Sequence, residues 1–290
     1  MSERLETATA CPAGASGDAS RNAVSGRNAR YIYAVAAIGQ TPEFNRIGIE
    51  SNRVYTITYQ DICAIVHDCP QEPYQSNEHP VVEAWVKAHH RVIEQAKRCY
   101  GAVIPLSFDT IVRPRDGASA DQVVEDWLKN ERDRLLAILE KVKGKDEYGI
   151  QILFDTRILT ERIQEASEDV RRTRELANTK SPGIAYMYRQ KMEKALRSEL
   201  DSITAARANE FYYSIKAHAD EIVVEKPGKV GRDKVMLLNL SCLVDEAHIA
   251  ALGDNLEKIN GMEGFSVHFS GPWPPYSFVG NVMASGGNKQ

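Results

Sequence analysis

Hydrophobic and polar positions first fall into a regular pattern at Arg30. Tyr31-Ile32-Tyr33-Ala34-Val35-Ala36 is a β-branched and aromatic run without a charge, which predicts a strand buried on at least one face. After a loop marked by Gly39 and Pro42, the runs 53–59 and 62–67 read as a hairpin, separated by the polar pair Gln60-Asp61. Pro80 opens a segment in which Val82, Val86, His89/His90 and Ile93 recur at helical spacing as far as Gly101. Val103-Ile104-Pro105-Leu106-Ser107-Phe108 is apolar but carries a proline that cannot donate to a ladder, so it reads as an edge strand. From Ser119 to Val142 an apolar stripe through Val123, Val124, Trp127, Leu128, Leu135, Ile138, Leu139 and Val142 predicts a helix ended by Gly144, and 147–154 predicts another strand. The series β-ββ-α-β-α-β over residues 30–155 is close to a ferredoxin-like antiparallel sheet with its helices on one face.

The pattern then changes. Residues 156–178 and 182–219 are nearly free of Gly and Pro and dense in charge, which predicts two long helices. Leu159, Ile163, Ala166, Val170, Thr173 and Ala177 form one narrow seam, and Met192, Leu196, Leu200, Ile203, Phe211 and Ile215 form its counterpart. Beyond them, 221–224 and 235–244 read as a second hairpin, 245–260 as a helix and 265–269 as a last strand. The expected fold class is α+β with two domains, at 29–155 and 156–268. Residues 1–28, rich in Ala, Ser, Gly and Asn, read as a disordered tail, and 269–290 as a C-terminal tail whose prolines stop the last strand from running far.

Composition narrows the function classes. The 290 residues are 43% hydrophobic and 26% charged, enough to bury a sizeable core. A net charge of −4 gives no bulk attraction to phosphate polyanions or acidic membranes, and no basic patch stands out along the chain. No window approaches the roughly 18 apolar residues of a membrane span and no secretory signal is present, so neither membrane anchoring nor export is expected. The five cysteines are odd in number and scattered, which favours reduced thiols in a cytoplasm.

Candidate chemistry is sparse. Cys63, His67 and Cys69 share one strand face, but residues 63 and 69 would lie about 20 Å apart along an extended strand, too far for one zinc ion. Adjacent His89 and His90 cannot share a helix face, so one is expected to pack and the other to be solvated. Gly228 to Lys234 has glycines and basic groups but lies between two strands, where a phosphate loop needs a strand followed by a helix. Tyr31 and Tyr33 could imitate the base-stacking aromatics of an RNA-recognition sheet, which makes a nucleic-acid-binding scaffold the alternative reading. No catalytic, cofactor or metal residues emerge. Pro272, Trp273, Pro274, Pro275, Tyr276 and Phe278 remain: a stiff segment whose aromatics serve either to pack against this chain or to dock on a partner.

That segment, Ser270-Gly271-Pro272-Trp273-Pro274-Pro275-Tyr276-Ser277-Phe278, resembles the GPWPPYSF ending of the gas vesicle F/L family (GvpF/GvpL) of accessory proteins. Tyr31-Ile32-Tyr33-Ala34, His90 in its helix, Val103 to Thr110 (similar to VLPxRFGT) and Leu238 to Asp245 extend the similarity over about residues 30–279. Ser107 stands where the family pattern has Arg, and Asp109 where it has Gly. The resemblance implies a non-enzymatic assembly factor or minor vesicle-associated protein, without cofactor, located in the cytoplasm and on gas vesicles. Its implied partners are the hydrophobic shell protein and other gas vesicle accessory proteins, with neither nucleic acid nor membrane among them.

Overall fold

The computed structural model describes residues 28–39, 43–179, 181–228, 230–231 and 233–283. The tail expected over residues 1–28 lies outside them except for Asn28, as do residues 284–290. The chain forms two compact units. One runs as far as Lys145 and takes in the segment from Pro274 onward; the other is Asp146–Trp273.

The first unit is built on β1 (Ala29–Ala37), β2 (Val54–Tyr59), β3 (Ile62–Cys69), β4 (Val103–Pro105) and β5 (Ile111–Val112), with α1 (His79–Tyr100) and α2 (Ala120–Val142). The sheet order is β2-β3-β1-β4, and β5 also pairs with β1. β1 pairs antiparallel with β3, β4 and β5, β2 pairs antiparallel with β3, and β4 lies on the edge as its proline requires. Central β1 is buried on both faces, with Tyr31 through Ala36 at 0% exposure. A register shift between Ile32 and Ala34 changes the alternation. Tyr31 and Tyr33 before it, and Ala34 and Ala36 after it, therefore join one core with Val92, Ile93 and Ala96 of α1. On the opposite side Arg30 reaches Asp121 of α2 through two hydrogen bonds of 2.7 and 3.0 Å. Helices thus cover both faces, where one was expected, because six uncharged residues in succession leave no polar face for solvent. Three strands precede the first helix, so this unit lacks the helix between strands one and two of a ferredoxin-like alternation.

That alternation falls in the second unit. Its elements are β6 (Lys145–Asp155), α3 (Thr156–Ala166), α4 (Glu168–Thr179), α5 (Pro182–Lys216), β7 (Glu221–Val224), β8 (Lys234–Asp245), α6 (Ile249–Asn260) and β9 (Phe265–Trp273). The sheet order is β7-β8-β6-β9. Phe211 and Ile215 of α5 and Leu252, Leu256 and Ile259 of α6 pack over Ile150, Ile152, Leu240 and Cys242 of its strands. The helix expected over 156–178 is broken at Ser167, whose ψ of 115° leaves the helical region, yet the seam survives the break with Leu159, Ile163, Val170 and Ala177 buried.

β9 extends four residues past its expected end. Glu147 pairs with Trp273 and Gly149 with Ser270, so Gly271 and Pro272 together stand opposite the single residue Tyr148. This bulge on an edge strand accommodates the proline without removing a needed ladder donor. Gly271 has φ +125°, and a Cβ there would lie 2.9 Å from the Glu147 carbonyl oxygen. Gly271→Ala is therefore expected to lower stability by about 1–3 kcal/mol through crowding alone. Gly253→Ala, in α6 with nothing within 4 Å of the new Cβ, should raise stability by about 0.5–1 kcal/mol. Thermal denaturation of the two variants beside the native chain checks both signs.

Candidate functional site

An aromatic and histidine centre lies under α1 in the first unit. Tyr31 is surrounded by the rings of Tyr33, His67, Tyr74, His89 and Phe108, with centroids 4.9 to 6.2 Å away. The Tyr31 hydroxyl sits 2.8 Å from His89 Nδ1, and His89 Nε2 sits 3.2 Å from the Leu106 carbonyl oxygen. A carbonyl only accepts, so the proton belongs on Nε2, and Nδ1 accepts from the Tyr31 hydroxyl. Tyr31 Oη in turn accepts the Asp109 N–H at 3.0 Å, and Asp109 Oδ1 accepts the Tyr74 N–H at 3.0 Å. The Tyr74 hydroxyl meets His67 Nε2 at 3.0 Å. β1, β3, α1 and the 105–110 loop are thereby joined in one hydrogen-bonded chain.

Burial determines the chemistry of this centre. It holds the His89 imidazole well below its ordinary value, at about 4, against the weaker opposing effect of the Leu106 hydrogen bond. Burial likewise pushes the Tyr31 and Tyr33 hydroxyls upward. Near neutrality the His89 ring and the Tyr31 and Tyr33 hydroxyls are therefore uncharged. His90, the other histidine of the pair, is the solvated one and meets Glu94 at 3.3 Å. Both tyrosines are 0% exposed and so cannot stack on bases, which removes the observation behind the RNA-recognition reading.

Residues considered for zinc have other roles. His67 is part of the aromatic centre, and the Cys63 thiol, pushed to about 11 by burial, shares a hydrogen bond with Tyr100. Cys63, Cys69 and Cys242 are buried.

The proline and aromatic segment divides into two parts. Pro272 and Trp273 end β9 and are exposed, Trp273 at 44% and with its indole N–H 3.4 Å from Ser270 Oγ. Pro274, Pro275 and Phe278 are buried, and Tyr276 is half-buried, in the first unit. Tyr276 opens the single-turn helix α7 (Tyr276–Val279), and its hydroxyl lies 3.4 Å from His89 Nε2. Lys141 Nζ caps the Phe278 carbonyl at 3.3 Å and stands 6.0 Å from that residue's ring centroid. The six residues thus divide between the end of β9 and the α7 turn. Trp273 is separate from Tyr276 and Phe278, because β9 ends between them.

Between this segment and the 105–110 loop lies an open groove of about 400 Å³, bordered by Leu106, Ser107 and Thr110 on one side and Tyr276, Val279 and Val282 on the other. Asp109, where the resemblance pattern has Gly, adopts φ +68°, the left-handed conformation that glycine enters freely and aspartate tolerates. The sequence contained two signals for this site that patterning alone did not resolve: a histidine pair, and a proline-interrupted strand followed by an acidic residue. These side chains can position a loop and present a surface.

The class of protein follows from comparison. Over residues 29–280 the chain matches the gas vesicle synthesis proteins GvpL/GvpF, and it belongs to that family. Gas vesicle protein L1 of Halobacterium salinarum is 26% identical over 263 residues, covering 88% of this chain and 92% of the relative. Gas vesicle protein F of Nostoc sp. is 21% identical over 237 residues, covering 80% and 90% respectively. The crystal structure of GvpF from Anabaena sp. shares the fold with a TM-score of 0.67 at 19% identity, over 87% of this chain and 98% of that one. GvpF from Microcystis aeruginosa has a TM-score of 0.59 at 16% identity, over 87% and 99%.

Two measurements check the geometry of the centre and the segment. The unfolded His89 ring titrates near 6.5 and the folded one near 4, so between those values the unfolded chain binds the extra proton. Its stabilisation is complete above about pH 6.5 and is lost as pH falls towards 4, a change of about 3 kcal/mol. His89→Gln should flatten the pH dependence of urea unfolding across that window by about one proton. Phe278→Ala should cost about 3–5 kcal/mol of stability, and Trp273→Ala clearly less because its ring is already half in water. Equal losses for the two in thermal unfolding would contradict the burial difference.

Proposed function

We propose that the protein is a gas vesicle assembly factor, or a minor vesicle-associated protein, that binds the hydrophobic shell protein and other accessory proteins during vesicle formation. The observation supporting this is the family match, which takes in residues from both compact units and continues through the proline and aromatic segment to residue 280. Relatives that match over most of their length are named gas vesicle proteins L and F. We read the chain as two α+β domains acting without a cofactor or a reaction, in the cytoplasm and at the vesicle surface. No helix among the described residues is long and apolar enough to cross a membrane. A shell subunit that buries its apolar face only on assembly needs a temporary cover, and exposed strand edges with aromatic residues beside them can provide one by strand addition and apolar contact.

Deleting the gene and complementing it with a tagged full chain tests this reading. Cells without the gene should form no gas vesicles, and the tagged chain should restore them and co-purify with the shell protein. Normal vesicles in the deletion strain, or a tagged chain that restores vesicles but retains no vesicle protein, would overturn it.

A further inference from the structure

The helices α3, α4 and α5 form an arm within the second unit, and charge is segregated along it. Only the last part of α5, at Phe211 and Ile215, enters the buried core of that unit. At about 1.5 Å per residue, Ile184 near the other end of α5 lies roughly 40 Å along the helix axis from Phe211. The distal part of the arm, residues 170–197, holds eight Lys and Arg against two Glu. Taking this +6 from the chain's −4 leaves −10 on all the remaining residues. The proximal part, residues 156–169 and 198–216, holds four Lys and Arg against seven Asp and Glu.

The positive end is open to solvent. Arg171, Arg172 and Arg174 on α4 are exposed, as are Arg189, Lys191, Lys194 and Arg197 on α5. None of these seven is in an ion pair with another described residue. Beside them stand three exposed large apolar side chains: Ile184 at 47%, Tyr186 at 60% and Met187 at 71%. Ile184, Met187, Lys191 and Lys194 are three and four residues apart and so form one outward stripe, apolar at the tip and basic behind it. On the other side of α5, Ala185 is buried and Tyr188, Met192 and Leu196 are half-buried.

We propose that this tip is a docking surface for an acidic amphipathic helix of a protein partner. Charge complementarity sets the sign of the partner: the tip is the cationic end of an otherwise acidic chain, so it attracts an acidic segment and steers the encounter. Aliphatic and methionine anchors favour a protein over a nucleic acid, because a phosphate backbone offers nothing for Ile184 and Met187 to cover. Three apolar side chains at the end of a helix pair are too few for the broad apolar face with which an interfacial helix lies in a membrane. The spacing of the stripe suits the i, i+3, i+7 anchors of a partner helix laid along α5. This deepens the assembly reading and rests on it, since it assigns the surface and charge of one of the contacts that reading requires.

The probe is a fluorescein-labelled synthetic helix with Leu on one face and Glu on the others, titrated with the full chain and followed by anisotropy. Binding is expected to weaken at least about tenfold from ~50 to ~500 mM salt and by a similar factor in the Arg189→Glu/Lys191→Glu/Lys194→Glu variant. Ile184→Ser/Met187→Ser should also weaken it, and a Lys-for-Glu probe should not bind. The milder Arg189→Gln/Lys191→Gln/Lys194→Gln variant, with helix content and thermal midpoint matched to the native chain, separates lost binding from lost fold. Affinity unchanged by these substitutions would overturn the proposal. So would tighter binding to single-stranded RNA or phosphatidylglycerol vesicles, or salt-sensitive self-association of the chain alone. In the complemented deletion strain the folded charge-reversed chain should fail to support vesicles. Vesicles at native levels with that variant would remove the tip's role and leave the assembly reading intact, whereas that reading itself fails only through the deletion and co-purification result described above.

Discussion

The hydrogen bond between the Tyr31 hydroxyl and the buried His89 ring is the contact on which the first unit depends. It links the central strand to α1, and through the second ring nitrogen of His89 it also holds the Leu106 carbonyl of the 105–110 loop. Burying a tyrosine hydroxyl and an imidazole without partners would cost several kcal/mol, so each group must find its complement and the geometry of the whole centre follows. The uncharged ring is the result. An imidazolium there would have no carboxylate to meet and would present a second donor to a tyrosine that is already accepting one.

The same constraint explains why the proline and aromatic segment is not a continuous element. Up to Trp273 it belongs to an edge strand, kept in register by a bulge that only glycine fits at residue 271. From Pro274 it belongs to the first unit, where Tyr276 reaches the ring nitrogen that Leu106 already uses. Stiff backbone and large rings serve both halves of the segment, one exposed at a strand end and the other buried, for different physical ends.

Charge is organised on a longer scale than any of these contacts. Arg and Lys at 171–174 and 189–197 are separated along the sequence by a turn and by apolar residues, so neither group alone makes a patch on an acidic protein. Antiparallel packing of α4 against α5 puts them at one end of the arm, and the acidic residues of α3 and the later part of α5 at the other. Such an arrangement concentrates like charge at a cost in self-repulsion and produces a strong field at the tip, which is a property of the fold rather than of the net charge.

Local pattern determined much of this protein. The uncharged run of β1, the stripe of α2, the two seams at 159–177 and 192–215 and the hairpins were all readable from periodicity, because each element has to bury one face and repeats its apolar residues at its own period. The GPWPPYSF-like segment pointed to the family for a related reason: its glycine and prolines meet backbone demands that few other residues satisfy. Tertiary structure alone decided that helices cover both faces of the first sheet and that the ferredoxin-like alternation lies in the second unit. It also decided that Trp273 is exposed while Phe278 is buried, that His89 is the packed histidine of the pair, and that scattered cations make a patch. Each of these depends on which residues distant in sequence share a surface, and a period of two or 3.6 residues carries no information about that; pairing, register and two-sided burial do.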